Sequence, residues 1–263
     1  MKIKIVTLFV MMFSLFAVSC ANGDKKSENL KKEKTVAAKK VLIVLTSNNK
    51  LGDTGELTGY WIEELAAPYY ELIDNGFEVE LVSPKGGPVP FDPKSNAPEA
   101  ITEDVERFHR DVDLQEKLLN TKKLEEIKEE DFDAIFYPGG HGLIWDLVEN
   151  ENSNKLIEDF NNAGKPMAFV CHGPAVLRRP KTKEGKPLVK GRKVTAFSNA
   201  EEIALQLVEV VPFLIEDSMI FRGGIYSNGE NWKSYVIVDE NLITGQNPAS
   251  SKELGKELVK QLK

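Results

Sequence analysis

An unbroken apolar run from Val41 to Leu45 begins a regular alternation of short β-rich runs with helical stretches. A strand that is apolar at every position is typical of a parallel sheet that is buried on both faces. The further runs predicted to be strands are 77–82, 133–137, 166–170, 193–197, 235–238 and 242–244. Strands separated by helices predict an α/β fold: a single-domain flavodoxin-like sandwich with a mainly parallel central sheet covered by helices on both faces.

Apolar residues at helical intervals fill most of the stretches between these runs. A helix is predicted between the glycine-rich loop 52–59 and Gly76, and two or three short surface helices are predicted within 101–130. The segment 83–98 is dense in proline and glycine and is predicted to be a loop. The remaining predicted elements are helices over 143–163, from 171–174 onward, over 200–207 and over 250–262, and a polar hairpin-like insertion at 181–190.

The N-terminus has the pattern of a signal peptide, predicted over residues 1–19. Lys2 and Lys4 precede an apolar run, 5–13, that is too short to span a bilayer. A small residue directly before Cys20 resembles the lipobox of bacterial lipoproteins, whose cysteine is diacylated. The resemblance implies an exported protein of a bacterial cell envelope that meets the membrane only through a lipid anchor on Cys20. The alternative is an ordinary cleaved leader whose cysteine is accidental.

Composition and charge divide the rest of the chain. Residues 20–39 are rich in lysine and poor in apolar residues, which predicts a flexible lipid-anchored tether, and residues 40–263 are predicted to form the folded domain.

Lys and Arg number 34 against 41 Asp and Glu, a formal net charge of −7. Because phosphate binding needs a basic surface, nucleic acid is excluded as a partner.

Only two cysteines occur in the chain, Cys20 and Cys171. If Cys20 is acylated, Cys171 has no intramolecular partner for a disulfide bond. A lone thiol of this kind is a candidate reactive group. The alternative is a small buried hydrophobic residue, which is the more common role of an unpaired cysteine.

Cys171 directly follows the predicted strand 166–170, at its turn into a helix. Ligands of open α/β sheets gather at the carboxyl ends of strands, and a sharp turn there presents a nucleophile to the cleft. We expect the amides and dipole of the following helix to stabilise a thiolate and to lower the pKa of Cys171. This position predicts a nucleophilic cysteine.

The turn after the predicted strand 133–137 contains Gly139 and Gly140. Paired glycines allow the backbone to approach a ligand closely, and the amides of Gly140 and His172 could form an oxyanion hole. The alternative is a plain strand-to-helix turn. The two turns are expected to be neighbours because both lie at the carboxyl ends of strands in an open α/β sheet.

Four motifs together resemble the PfpI-like superfamily, relatives of the class I glutamine amidotransferases. Within it, the chain resembles the branch of heat-shock chaperones, glutathione-independent glyoxalases (the glyoxalase III type) and protein deglycases. The resemblance extends from about residue 40 to residue 263. The motifs are YPGGHG at 137–142, VCHGPA at 170–175, TAFSNAEE at 195–202 and TGQNPASS at 244–251.

The resemblance implies a catalytic triad in which Cys171 is the nucleophile, His172 its base and Glu202 the carboxylate that orients the histidine. Glu201 is the neighbouring rival for that last position, and a shift of one residue would place the carboxylate on another face of the helix. A third group is needed because an imidazole must be held in one orientation to accept a proton.

The resemblance also implies a fourth member, Glu64, a protonated acid beside the cysteine. An acid packed against a thiolate in a partly apolar cleft would have a raised pKa, which suits a proton shuttle at neutral pH. Glu63 is its rival, and a solvated helix residue is the alternative for either glutamate. His141 could line the pocket, and the alternative is a loop histidine at the surface. The candidate pocket-lining residues are His141, Gly139, Trp61 and Asn247.

The implied activity is conversion of a small reactive aldehyde, a methylglyoxal-like 2-oxoaldehyde, to a 2-hydroxy acid without glutathione. No cofactor is expected, and no metal site, because the three histidines are scattered singly along the chain. The alternatives are a protein deglycase or peptidase-like hydrolase, and a holding chaperone with a redox-sensing cysteine. We expect a homodimer.

Arg178 and Arg179 depart from the family pattern and could either end the helix or line a cleft for anionic substrates.

Overall fold

The computed structural model describes residues 38–263. The signal peptide, the lipidation of Cys20 and nearly all of the tether lie outside the described residues and stay predictions. Within 38–263, none of the helices combines the length and the apolar character needed to cross a bilayer.

The strands are β1 Lys40–Val44, β2 Glu78–Ser83, β3 Lys122–Lys123, β4 Ala134–Tyr137, β5 Met167–Val170, β6 Lys193–Val194, β7 Ile225–Tyr226, β8 Val236–Asp239 and β9 Leu242–Gly245. Seven of them form the main sheet in the order β3-β2-β1-β4-β5-β9-β8. Every neighbouring pair in this sheet is parallel except β8 with β9. The predicted mainly parallel α/β sheet is confirmed, and its five central strands have the flavodoxin-like order.

Helices cover both faces of this sheet. They are α1 Ile62–Asp74, α2 Glu103–Arg110, α3 Val112–Leu119, α4 Leu143–Asp146, α5 Glu151–Asn162, α6 Asn199–Ala204, α7 Ile215–Phe221 and α8 Ser251–Leu262. Because side chains of a strand alternate between faces, Val41 and Ile43 pack with α1 and α8, whereas Leu42 and Val44 pack with α5 and α7. The fully apolar first strand therefore contributes side chains to the hydrophobic cores on both faces of the sheet.

The segment 193–197 was predicted to be a strand of the main sheet, and this is wrong. Only β6 is extended there, and it pairs with β7 in a separate two-stranded sheet. The following residues bind the carboxyl end of the main sheet: the Thr195 amide donates to Thr244 Oγ1 at 3.0 Å, and the Phe197 amide donates to the Cys171 carbonyl at 2.8 Å. This crossing places α6 above the ends of β5 and β9.

Two helical predictions also differ in detail. The stretch 143–163 is two helices, because the Asn150 side chain accepts the Ser153 amide at 3.0 Å and starts α5 anew. The helix after Cys171 is a single short 3₁₀ helix, Gly173–Arg178. The helix α7 and strand β7 lie in a region, 208–234, for which no element was predicted.

Candidate active site

Cys171 occupies a sharp turn at the end of β5, with a left-handed φ of 59°. This conformation costs a non-glycine residue about 1–2 kcal/mol, so neighbouring contacts must hold it. Its amide donates to the Gly245 carbonyl at 2.9 Å, and its carbonyl accepts the Phe197 amide. Gly173 completes the bend, since a Cβ there would lie 2.5 Å from the Tyr137 carbonyl oxygen. The geometry is that of the nucleophile elbow expected from the sequence.

The side chain of Cys171 lies at a cavity of about 170 Å³. The cavity is lined mainly by aromatic and aliphatic groups, together with a smaller number of polar side chains. The lining residues are Leu51, Trp61, Glu64, Asp92, Lys94, Gly140, His141, Cys171, His172, Phe197, Leu205, Leu207, Trp232 and Pro248. An apolar pocket with a few convergent polar groups is the usual form of a small-molecule site.

His172 bridges the cysteine and Glu202. Its Nε2 lies 2.9 Å from Glu202 Oε2, and its Nδ1 lies 3.2 Å from Cys171 Sγ. Because an ionised carboxylate can only accept, Nε2 carries the proton and Nδ1 is left as an acceptor facing the thiol. The imidazole is therefore oriented to take a proton from sulfur.

His141 lies beside His172 and contacts the same carboxylate. Its Nε2 is 2.9 Å from Glu202 Oε1, and the two imidazole centroids are 3.9 Å apart. The residue is buried, which excludes the surface position left open by the sequence. Sequence reasoning missed this contact, because 61 positions separate His141 from Glu202.

The electrostatics of this cluster keep Glu202 charged and His172 neutral. Burial alone would raise the pKa of Glu202, but the imidazoles of His172 and His141 outweigh it and hold that pKa well below its usual range. Burial lowers the pKa of His172 to about 4, and His141 acts in the same direction. His172 is thus an uncharged proton acceptor at neutral pH.

Glu64 is a second ionisable neighbour of the sulfur. It is fully buried, and the Cys171 thiol and the Gly139 amide both face its carboxyl group. Burial raises the pKa of Glu64 to about 8, so the group is mostly protonated at neutral pH and can donate to sulfur or oxygen. Glu63 is partly exposed, hydrogen bonds to Thr102 and does not line the cavity.

The thiol itself does not have the lowered pKa expected from the sequence. Burial raises the pKa of Cys171, and the facing Glu64 adds to the effect, against a hydrogen bond from the Gly140 amide. The short 3₁₀ helix that follows supplies too small a dipole to reverse this. Ionisation of Cys171 must therefore be coupled to removal of its proton by a neighbour.

The two glycines of the first turn allow close backbone contact at the cysteine. A Cβ on Gly139 would lie 2.5 Å from Glu64 Oε2 and 2.8 Å from the His172 amide nitrogen. Gly140 has a φ of 94°, and its amide faces the sulfur. Within residues 38–263, no loop or turn carbonyl accepts from the amides of Gly140 and His172. The Gly140 amide instead donates to the Cys171 sulfur, so this pair of amides is a candidate oxyanion hole next to the thiol.

The other candidate pocket residues divide into two groups. Trp61 and His141 line the cavity, whereas Gly139 lies behind it against Glu64. Asn247 does not line the cavity either: it is fully buried and donates to Glu201 Oε1 and to the Lys233 carbonyl. Asn247 was predicted to line the pocket, and its side chain instead contacts Glu201 and Lys233.

Arg178 and Arg179 both lie away from the cavity. The Arg178 guanidinium stacks 4.3 Å from the ring centroid of Phe213, and Arg179 binds Glu149 at 2.7 Å. These contacts exclude the cleft for anionic substrates that the two arginines had suggested.

His141, His172 and Glu202 are also the one set of possible metal ligands found in residues 38–263. Their ligand atoms lie within 4.8 Å of one another, so the argument that the histidines are scattered fails in three dimensions. In this geometry both imidazoles hydrogen bond to the carboxylate, which accounts for the three groups without an ion.

Comparisons with known proteins agree with this geometry. The model of the DJ-1/PfpI family matches residues 59–261. The glutathione-independent glyoxalase of Saccharomyces cerevisiae is 30% identical over 82% of this chain and 94% of its own. A protein/nucleic acid deglycase of Staphylococcus aureus is 26% identical over 83% of this chain and 76% of its own.

A solved structure extends the likeness to the whole fold. The rapid encystment protein of Francisella tularensis superposes with a TM-score of 0.82 at 37% identity, covering 86% of this chain and 99% of that one. The chain therefore belongs to the DJ-1/PfpI family, in the branch of the glutathione-independent glyoxalases and deglycases.

Proposed function

We propose that this chain is a glutathione-independent glyoxalase that converts methylglyoxal-like 2-oxoaldehydes and water to 2-hydroxy acids. The observation that carries the proposal is the position of Cys171 Sγ, 3.2 Å from the acceptor nitrogen of His172 and opposite the protonated carboxyl group of Glu64. A thiol between a base and an acid can add to a carbonyl carbon without a resident anion.

The first step is addition of sulfur to the aldehyde carbon. His172 Nδ1 takes the thiol proton as the carbon–sulfur bond forms, and the carbonyl π electrons move to oxygen to give a hemithioacetal oxyanion. In this proposal the amides of Gly140 and His172 donate to that oxygen, and the contact of the Gly140 amide with the sulfur supports this role. The imidazolium that forms is stabilised by Glu202, whose carboxylate is already in contact.

The second step moves a proton from the former aldehyde carbon to the neighbouring carbonyl carbon. The imidazolium of His172 returns its proton to the oxyanion. The neutral imidazole then removes the carbon-bound hydrogen while Glu64 protonates the neighbouring carbonyl oxygen, which gives an enediol, and Glu64 takes a proton back from oxygen when the enediol collapses. Protonation of the adjacent carbon and collapse of the enediol give a thioester on Cys171. Water then cleaves the thioester, which releases the 2-hydroxy acid and restores the thiol.

The cavity dimensions and lining support a small substrate with an apolar substituent. The volume of about 170 Å³ is below the range of drug-sized sites, and Trp61, Phe197 and Trp232 line the same cavity as the sulfur. The three groups that hold or move protons, Cys171, His172 and Glu64, line this pocket with them.

The test is turnover of methylglyoxal without glutathione, with lactate measured as product. Cys171→Ala and His172→Ala are expected to abolish it, whereas Glu63→Gln, the matched control for Glu64, is expected to largely retain it. The same proteins are assayed on glycated peptides and on an unfolding client protein. Release of amines from the peptides without turnover of free methylglyoxal would favour the deglycase, and aggregation suppression that survives Cys171→Ala would favour the chaperone.

A further inference from the structure

Glu201 is a fully buried carboxylate whose hydrogen bonds join three segments around the cavity. Its Oε2 accepts from the amide and hydroxyl of Ser198 at 3.1 and 2.9 Å, and from Gln246 Nε2 at 3.1 Å. Its Oε1 accepts from the Trp232 amide and from Asn247 Nδ2, each at 2.8 Å. These donors replace the water that burial removes.

Trp232 is the member of this network that reaches the cavity. It has a left-handed φ of 63°, a strained conformation for a bulky residue, and its amide is the group that Glu201 holds. Its indole packs edge-on against Phe197, with centroids 5.7 Å apart, and lines the cavity with Cys171. The side chain is 45% exposed, so the protein covers only part of it.

The rest of the loop that carries Trp232 is held by the same network. Gln246 Oε1 accepts the Gly229 amide at 2.8 Å, and Asn247 Nδ2 donates to the Lys233 carbonyl at 2.9 Å. Both amide side chains bind Glu201 as well. The loop is thus attached to the end of β9 through one carboxylate and its two amide partners.

We propose that Glu201 is a positioning residue that fixes the indole of Trp232 as a wall of the Cys171 cavity and thereby sets the preference for substituents on the reacting carbonyl. It touches none of the groups that exchange protons with sulfur. Glu202, the next residue, binds both imidazoles. Two consecutive acids of α6 therefore have separate tasks, one at the proton relay and one at the substrate wall.

Glu201→Gln is the informative substitution. Every group that contacts the Glu201 carboxylate is a donor, and glutamine replaces one acceptor oxygen with an NH₂ group. Whichever way the amide turns, one set of donors loses its acceptor. Glu209→Gln is the matched control, because Glu209 is exposed and follows the same helix.

The first readout is the environment of the indole, which does not depend on any activity. In a Trp61→Phe, Trp145→Phe background, Trp232 is the only tryptophan of the chain. Glu201→Gln is expected to shift its emission to longer wavelength and to increase its quenching by acrylamide. Glu209→Gln is expected to leave both unchanged.

The second readout is access to sulfur, measured on the full chain carrying Cys20→Ser so that Cys171 is the only thiol. N-phenylmaleimide and N-methylmaleimide are compared at one alkaline pH. In the proposal, the phenyl group of N-phenylmaleimide packs against the indole of Trp232. Glu201→Gln and Trp232→Ala are therefore both expected to lower the ratio of the N-phenylmaleimide rate to the N-methylmaleimide rate by about tenfold. This measurement also stands if the chain has no glyoxalase activity.

The third readout rests on the proposed function. Both variants are expected to raise KM for phenylglyoxal about tenfold while kcat stays within about twofold, because the wall binds the substituent and not the reacting atoms. If all variants lack turnover, the labelling ratio decides the proposal alone.

Glu201 would be merely structural if Glu201→Gln lowered the melting temperature but left the Trp232 emission and the labelling ratio equal to those of Glu209→Gln. That result overturns the proposal. Should Glu201→Gln fail to fold, Glu201→Asp keeps the charge and both acceptors at shorter reach. It is expected to fold and to show the same changes to a smaller extent, and unchanged emission and ratio in it would overturn the proposal equally.

Discussion

His141 donates its Nε2 proton to Glu202 at 2.9 Å, on the carboxylate oxygen that His172 leaves free. The carboxylate is thereby held from two sides, and His172 has a fixed partner. The imidazole of His141 also lowers the pKa of His172, because a positive charge on His172 would lie next to the imidazole of His141. The cluster is a branched relay, in which one carboxylate serves two histidines.

His141→Leu should reveal this branch. One oxygen of a buried carboxylate loses its donor, which costs about 1–3 kcal/mol, so kcat/KM is expected to fall about tenfold or more. His141 lowers the pKa of His172, so removing it raises that pKa, and the acid limb of the pH–rate profile is expected to move to higher pH. His109→Leu, at an exposed position, is the control. An unmoved acid limb would show that His141 does not influence the base.

Glu64 is expected to produce an alkaline limb. Burial raises its pKa to about 8, so the proton that it donates is present below that pH and is lost as the pH rises through it. Turnover should therefore decline above about pH 8. Glu64→Gln keeps a hydrogen-bond donor that neither titrates nor transfers a proton, so its turnover should be lower and should lack this limb, whereas Glu63→Gln should retain both the turnover and the limb. A limb that survives Glu64→Gln would have to be assigned to another group.

The sheet and the elbow are predictable from the sequence because both depend on local pattern. The apolar run 41–45 requires two covered faces, and a cysteine between a buried strand and a Gly-Pro pair has little choice of geometry. The pairing of the two turns follows from the rule that parallel strands end at one edge.

Other parts depend on contacts that no local pattern records. The segment 193–197 has strand composition, yet Thr195 binds the side chain of Thr244 and leaves the ladder. The raised pKa of Cys171 arises from burial and from Glu64, which is 107 residues away in the chain. The task of Glu201 could not be separated from that of Glu202, because adjacent acids on a helix differ only in what they meet in space.

Gly139 is expected to be required for activity rather than for chain flexibility. A Cβ there would meet Glu64 Oε2, the Val170 carbonyl and the His172 amide at 2.5–2.8 Å, two of which are backbone atoms that cannot move cheaply. Gly139→Ala should cost about 1–3 kcal/mol of stability and displace the acid from the sulfur, with loss of turnover.

Gly185→Ala provides the contrast for that variant. Gly185 has a φ of 75° and open space around it, so alanine costs only the left-handed strain of about 1–2 kcal/mol. Equal denaturant midpoints with activity lost in Gly139→Ala alone would separate the two effects. Retained turnover in Gly139→Ala would mean that Glu64 tolerates displacement.

Cys20→Ser tests the proposed anchor. If Cys20 carries the lipid, the variant should move from the membrane fraction to the soluble fraction after cell lysis, because no other hydrophobic attachment was predicted. Cys171→Ser is the matched control and should leave the distribution unchanged. Membrane retention of Cys20→Ser would exclude the lipid anchor.

Alkylation of Cys171 should distinguish coupled ionisation from a resident thiolate. Iodoacetamide reacts with the thiolate, and burial together with Glu64 raises the pKa of this thiol above 9.0. The rate, measured in the Cys20→Ser chain, should therefore be low at pH 7 and should keep rising through pH 9. Glu64→Gln removes the facing charge and should move this rise to lower pH, whereas Glu63→Gln should not. A rate that is already at its plateau at pH 7 would mean that sulfur is ionised in the resting protein, and His172 would then have no thiol proton to remove.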